Sequence, residues 1–269
     1  MEIAVSEVPD PTRCAAASTP AVVVRDVAMR YPGQRGGEAI DVLQHINVDV
    51  CRGEFVCFVG LSGCGKTTLL NVIAGFLTPT EGQVLIEGEL VRHPDPRRIF
   101  IFQEGGVFPW LTVFENVGFG LGGKTPVARG ELIQHYLEMV GLTGCERLYP
   151  RELSGGMRQR VEIARALASN PEVIFMDEPF GALDYFARFK MREDLIRIWR
   201  QERKTILFVT HDIDEAVQLA DRVVVLGRRP ATVEAIVPIE LERPRHLNST
   251  AYLQIRDRIL GAMGMQLDH

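Results

Sequence analysis

Three short segments of the sequence combine residue types and spacings suited to handling phosphate groups. The first is Gly60-Leu61-Ser62-Gly63-Cys64-Gly65-Lys66-Thr67, followed by Thr68. Glycines at this G-x-x-x-x-G-K-[ST] spacing let successive backbone N–H groups curl round a phosphate chain, and a helix opening behind them adds its partial positive charge. Lys66 can then reach β- and γ-phosphates, while the Thr67 hydroxyl can ligate Mg²⁺. The bland alternative is a Gly-rich turn between a strand and a helix. The second segment is the acidic pair Asp177-Glu178, placed directly after the apolar run Val173-Ile174-Phe175-Met176. Asp177 is suited to hold Mg²⁺ through its water shell, and Glu178 to polarise a water for in-line attack on a γ-phosphate. The third is Ser154-Gly155-Gly156, which opens a helical pattern. A hydroxyl, two glycines and a helix N-terminus make another anion cradle, although the same residues also serve as an ordinary helix cap. A second cradle in a chain with one phosphate loop suggests a nucleotide held by another copy of the chain. Gln103 and His211 each follow an apolar segment, at residues 99–102 and 205–210. Taken singly, neither residue carries a functional reading.

These residues need a scaffold, and the hydrophobic pattern supplies one. Residues 55–59, Phe-Val-Cys-Phe-Val, are apolar throughout, as in a strand buried on both faces. Residues 173–176, 206–209 and 223–226 have the same character. Helical spacing connects Met157, Val161, Ala164, Leu167 and Ala168, and a further helix is expected over about 187–202. Buried strands alternating with helices imply a largely parallel sheet covered on both sides, with ligands at the carboxyl ends of its strands. Two more strands are expected earlier, a β-branched run at 21–29 and an alternating one at 46–50. Tyr31-Pro32-Gly33 turns the chain after the first. Residues 108–154 break the rhythm and read as a mostly helical insertion. The chain after Arg228 mixes prolines with short apolar runs and ends in a helix near residues 252–263.

Composition narrows the class. The 269 residues are 46% hydrophobic and 24% charged, as expected of a globular protein with a real core. Asp and Glu total 35 against 30 Lys and Arg, which argues against a dedicated nucleic-acid binder. The local clusters Arg92, Arg97, Arg98 and Arg228, Arg229 read as solvated surface. No stretch approaches the ~18 consecutive apolar residues of a membrane-spanning helix. The N-terminus is acidic and Pro-containing, unlike a secretion signal. The five cysteines, Cys14, Cys51, Cys57, Cys64 and Cys145, are odd in number and lack C-x-x-C spacing. They suggest neither a disulfide framework nor a zinc site, and hence a reducing, cytosolic setting.

In order and spacing, the phosphate loop, Gln103, Leu153-Ser154-Gly155-Gly156-Met157, Asp177-Glu178, Gly181-Ala182-Leu183-Asp184 and His211 resemble the ATP-binding cassette (ABC) ATPases from about Val22 to Leu226. That resemblance implies an α/β P-loop NTPase. Its parts are a RecA-like core with a mostly parallel sheet, a helical subdomain and antiparallel N-terminal strands. The expected boundaries are a disordered extension at 1–20, a cassette at 21–235 with its helical part at about 106–160, and a C-terminal extension at 236–269. The resemblance also implies ATP and Mg²⁺ as ligands. Tyr31 would stack on adenine, and residues 60–68, Gly155, Gly156 and Asp184 would line the nucleotide. Thr67, Gln103 and Asp177 would organise Mg²⁺. Lys66, Gln103, Glu178 and His211 would act on the γ-phosphate, and Ser154 would complete the site of a second subunit in a head-to-tail homodimer. Phe108-Pro109-Trp110-Leu111-Thr112-Val113, Glu115-Asn116-Val117 and Glu242-Arg243-Pro244-Arg245 are similar to importer ATPases of the nitrate/sulfonate/taurine group. That similarity implies a peripheral subunit at the cytoplasmic face of the membrane. Its partners would be a permease, contacted near residues 108–111, and a solute-binding protein, with no nucleic acid. A soluble non-transport cassette ATPase and an ATP-dependent regulatory module are the rival readings. Met157 stands where the family usually has Gln and Gly181 where Ser is frequent, which bears on contacts across the dimer.

Overall fold

Two sheets carry the chain in the computed structural model, which describes residues 20–33, 38–103 and 106–265. In chain order the elements are β1 (Pro20–Tyr31), β2 (Ile40–Cys51), β3 (Phe55–Val59), α1 (Lys66–Ala74), β4 (Glu81–Ile86), β5 (Glu89–Leu90), β6 (Arg98–Ile101), α2 (Val113–Val117) and α3 (Pro126–Met139). They continue with α4 (Gly155–Ala168), β7 (Val173–Asp177), α5 (Tyr185–Glu202), β8 (Thr205–Val209), α6 (Ile213–Leu219), β9 (Arg222–Leu226), β10 (Val233–Pro238) and α7 (Thr250–Ala262). The larger sheet runs β10-β9-β3-β8-β7-β6, and the smaller runs β2-β1-β4-β5. Strands β9, β3, β8, β7 and β6 are parallel, β10 closes that sheet antiparallel to β9, and the smaller sheet is antiparallel throughout. This is the α/β architecture expected from the sequence.

Alternation within the parallel strands divides the interior in two. Phe55, Cys57, Val59, Ile174, Met176, Ile206 and Phe208 point to one face, where they pack with α2, α3, α4, α5, α6 and α7. Val56, Phe58, Val173, Phe175, Leu207 and Val209 point to the other, toward α1 and the antiparallel sheet. The two-residue side-chain period means that a strand apolar at every position serves both cores at once. The sequence therefore marked these strands well. It did not mark β4, β5 or β10. β4 begins with three exposed residues and β5 is two residues long, while β10 ends in proline on a sheet edge.

Two further expectations are corrected. Cys51, which ends β2, is disulfide-bonded, whereas Cys57, Cys64 and Cys145 are free; the expectation of unpaired cysteines fails at that position. Arg98 is buried instead of solvated, because it opens β6 and pairs in register with Val173 of the central sheet. Its neighbour Arg97 stays exposed, within ion-pair distance of Asp95, Glu89 and Glu172. The loose extension expected at the N-terminus lies outside the described residues up to position 19.

Residues 108–154, expected to be mostly helical, contain α2, α3 and a 3-10 turn at Pro150–Glu152. Thr112 caps α2 in a reciprocal arrangement with Glu115, and the fully buried Asn116 fixes the loop before it. Asn116 Nδ2 donates to the carbonyls of Phe108, Leu111 and Thr112 at 3.0–3.1 Å, and its Oδ1 accepts from Phe108 N at 2.9 Å. That loop presents Trp110 to solvent, 69% exposed. Replacing Asn116 by Ala strands several buried backbone groups, so Asn116→Ala is expected to lower unfolding stability by about 3 kcal/mol. A urea titration followed by tryptophan fluorescence measures this; an unchanged midpoint contradicts the role given to Asn116.

Candidate nucleotide and metal site

The register of the parallel sheet brings the candidate residues to one edge. Phe58 of β3 pairs with Val209 of β8, and Val209 pairs with Asp177 of β7, so these three strands end level with one another. The phosphate loop follows β3, Glu178 follows β7 and His211 follows β8. Each segment leaves its strand at the same, carboxyl, edge.

Residues 60–65 join β3 to α1 with little steric room. A Cβ on Gly60 would lie 2.9 Å from both Cys64 Sγ and the Leu226 carbonyl oxygen, and one on Gly65 would lie 2.9 Å from Val42 Cγ1. Gly65 also has φ +123°, a backbone conformation that side chains resist. Gly65 is the N-cap of α1 and supplies no side-chain hydrogen bond. Among the described α-helices, α2 to α7 each begin with a Ser, Thr or Asp whose side chain accepts from a first-turn amide. The first-turn amides of α1 are thus left for an anion. Lys66 is buried and curls back over the loop, its Nζ donating to the Gly60 and Leu61 carbonyls at 2.9 and 3.1 Å. Leu61 and Thr68 are half-buried, Cys64 is buried, and Ser62, Gly63 and Thr67 are exposed.

From the first turn of α1, Thr67 Oγ1 reaches across the end of β8 to Asp177 Oδ1 at 3.2 Å. Burial raises the Asp177 pKa above the ordinary carboxylate value; the Thr67 bond and Lys66 oppose this, and the Glu178 charge adds to it. A hydroxyl and a carboxylate at this separation are hard oxygen donors suited to Mg²⁺. Among the described residues no group of three or more His, Cys, Asp and Glu side chains could hold a metal ion. A cation here therefore needs phosphate and water oxygens to fill its shell, as Mg²⁺ commonly does.

Glu178 has φ +45°, and its N–H donates to the Val209 carbonyl at 2.9 Å, which turns its side chain toward β8. Glu178 Oε2 lies 2.9 Å from Nδ1 of the exposed His211. A Cβ on Gly181 would lie 3.5 Å from Gln103 Nε2, so the Gln103 amide sits over the turn after Glu178. Lys66, Thr67, Asp177, Glu178, His211 and Gln103 thus form one neighbourhood.

Ser154, Gly155, Gly156 and Asp184 lie elsewhere. Ser154 caps α4, accepting from Met157 N at 3.3 Å, and Asp184 caps α5, accepting from Ala187 N at 3.0 Å. Both line a cleft of about 520 Å³ together with Gly155, Gly156 and Lys190. No hydrogen bond or ion pair among the described residues joins this cleft to the phosphate loop. Tyr31 ends β1 opposite Ile40 and packs half-buried against the second core, on the hairpin whose Val42 and Leu43 approach Gly65.

Two arginines at the site carried no signal in the sequence. Arg229, expected to be solvated surface, donates from Nη2 to the Gly63 carbonyl at 2.6 Å. Its loop is held there by Ala231, whose N–H donates to the Val42 carbonyl at 2.8 Å. Arg188 donates to the Leu183 carbonyl at 3.3 Å and lies 3.7 Å from Asp212 and 3.8 Å from the buried Glu215. It therefore bridges the Gly181–Asp184 turn to the segment that carries His211.

The ABC transporter family profile matches residues 43–181. The chain is 49% identical over 229 residues to an uncharacterized ABC transporter ATP-binding protein of Methanocaldococcus jannaschii, covering 84% of this chain and 86% of that protein. It is 43% identical over 239 residues to the aliphatic sulfonates import ATP-binding protein SsuB of Bacillus cereus, covering 89% and 94%. Among solved structures, the dimeric ABC transporter cassette MJ0796 superposes with a TM-score of 0.70 at 33% identity, covering 82% of this chain and all of that one. The same cassette in a post-hydrolysis dimer bound to ADP and phosphate gives a TM-score of 0.69 at 32% identity, with the same coverage. A phosphate loop, an acidic strand end and a second glycine cradle on this fold therefore have a family: the chain belongs to the ABC transporters, as an ATP-binding cassette ATPase.

Proposed function

We propose that the chain is the energy-coupling subunit of an importer for small organic anions of the sulfonate type. In this reading two copies bind two ATP molecules between them and drive a separate permease, which receives solute from a binding protein. The subunit would sit at the cytoplasmic face of the membrane through that permease. Among the described residues no helix is long and apolar enough to cross a membrane. The convergence of Lys66, the Thr67–Asp177 pair and the Glu178–His211 pair on one sheet edge carries the reading. The sulfonate-import relative supports the solute class, and the dimeric cassettes support the assembly. Ser154, Gly155 and Gly156 lie in a cleft of their own, which supports their use against the nucleotide of a second copy.

The residues divide the work by position. The loop amides and Lys66 hold the β- and γ-phosphates, the lysine exchanging its bonds to the Gly60 and Leu61 carbonyls for phosphate oxygens. Thr67 and Asp177 would hold Mg²⁺, with Gln103 alongside, and the ion would supply positive charge to offset that of the phosphates. Glu178 takes a proton from the attacking water as its oxygen bonds to the γ-phosphorus, and ADP leaves on the opposite side. The ring of His211 orients that carboxylate and donates to a γ-phosphate oxygen. Tyr31 supplies an apolar face for adenine. Exposed Trp110, backed by Phe108 at 5.5 Å, offers an aromatic surface to the permease.

Glu178→Gln is expected to cut ATP turnover at least about a hundred-fold while leaving ATP binding intact, so that ATP traps a dimer. Phosphate release and light scattering measure the two effects, and unchanged hydrolysis removes Glu178 from the role. Asp177 predicts a pH-dependent cost. Its folded pKa is raised, so its charged form destabilises the nucleotide-free protein above that pKa. The penalty fades as pH falls and is gone below the unfolded value near about 4. Asp177→Asn should therefore raise the melting temperature at pH 7.5, lose that gain toward acid pH, and abolish the extra stabilisation that Mg²⁺ gives with nucleotide. A lower melting temperature for Asp177→Asn at pH 7.5 contradicts this.

A further inference from the structure

Helix α6 begins two residues after His211 and has only seven residues, Ile213–Leu219, so it has little stability of its own. Asp212, between His211 and α6, is its N-cap and accepts from Asp214 N at 2.9 Å and Glu215 N at 3.2 Å. Any movement of the first turn of α6 therefore moves the backbone that carries His211.

The C-terminal segment holds α6 at both ends. At its last carbonyls, Arg245 Nη1 donates to Val217 O and Ala220 O at 2.6 Å, and Arg243 Nη2 donates to Leu219 O at 2.6 Å. Arg243 is itself fixed, 2.9 Å from Asp221 and with its guanidinium 4.6 Å above the Trp199 ring. At the first turn, Tyr252 of α7 is buried, 1% exposed, and its hydroxyl lies 3.0 Å from Asp214 Oδ1 and 3.3 Å from Asp214 O. Burial, with the Asp214 carboxylate beside it, pushes the Tyr252 hydroxyl well above the ordinary phenol value, so it remains a proton donor to that carboxylate. Ile259, one further turn-pair along α7, is also buried in the core that holds Ala216, Val217 and Leu219.

The geometry points to the C-terminal segment as a clamp on the catalytic histidine. Tyr252 is the positioning residue, acting through Asp214 and the Asp212 cap to hold His211 against Glu178. This rests on the reading of His211 as the residue beside the γ-phosphate. The segment from Arg243 to Ile259 thereby gains a function in turnover, beyond packing. A packing role alone would lower stability when Tyr252 loses its hydroxyl and leave kcat as it was. A positioning role lowers kcat while the phosphate loop, and with it KM for ATP, is unaffected.

The test measures steady-state ATP hydrolysis with Mg²⁺ by the full chain, at a temperature well below the melting point of every variant. His211→Ala is expected to lose turnover about a hundred-fold. Tyr252→Phe is expected to lower kcat about five- to ten-fold with KM for ATP within about two-fold. Asp214→Ala removes the accepting carboxylate and carries the same expectation, which also serves should Tyr252→Phe not fold. The double variant should be no slower than the slower single variant, since both changes remove one contact. Wild-type kcat in Tyr252→Phe or Asp214→Ala beside an inactive His211→Ala overturns the clamp alone, and so do fully additive losses. Wild-type turnover in His211→Ala overturns the role of His211 and the clamp with it.

Discussion

The site depends on one constraint: β3, β8 and β7 are buried on both faces and end in register. Phe58, Val209 and Asp177 stand side by side across three strands. A slip of one residue in either pairing would exchange the two cores, sending Phe208 to the α1 side and Leu207 to the other. Because packing forbids that slip, the loops leaving the three strands are fixed relative to one another to within a side-chain length. Thr67 can then find Asp177 across an intervening strand, and Glu178 can find His211 on the adjacent one. The precision of the site is the precision of the hydrophobic sort beneath it.

On that frame the molecule places groups that work against its own stability. Lys66 and Asp177 are buried charges near each other, and Asp177 is held charged against a desolvation penalty. Glu178 occupies a left-handed backbone conformation that is strained for a non-glycine residue. The α1 N-terminus lacks the side-chain cap that every other described α-helix has. The open amides of α1 and the buried Asp177 are local costs that an anion and a cation would offset.

What the sequence disclosed follows from how local each feature is. The phosphate loop and the Asp177-Glu178 pair are contiguous, and strands such as Phe55–Val59 announce themselves because burial on both faces excludes polar residues. β4 and β10 were illegible because their strand character comes from partners: Val22 to Val24 pair with Val84 to Ile86, and Val223 to Val225 pair with Ala235 to Val237. α6 is too short to display a period. Arg229, Arg188 and Tyr252 could not be found at all, since each acts on a segment distant in the chain and an arginine or tyrosine there carries no spacing rule. The clusters read as solvated surface show the same limit, for Arg98 opens a buried strand and Arg229 reaches Gly63.

Gly106 and the aromatic loop at Phe108–Trp110 both bear on helix α4. The N–H of Gly106, three residues after Gln103, donates to the buried Glu162 of α4. One turn along that helix, Arg165 places its guanidinium 4.8 Å over Phe108, the ring against Trp110. Burial raises the Glu162 pKa and lowers that of Arg165, and each charge opposes the other's shift. The same helix is capped at its start by Ser154. A partner that displaced the Phe108–Trp110 loop would therefore press on a single rigid rod with Ser154-Gly155-Gly156 at its tip.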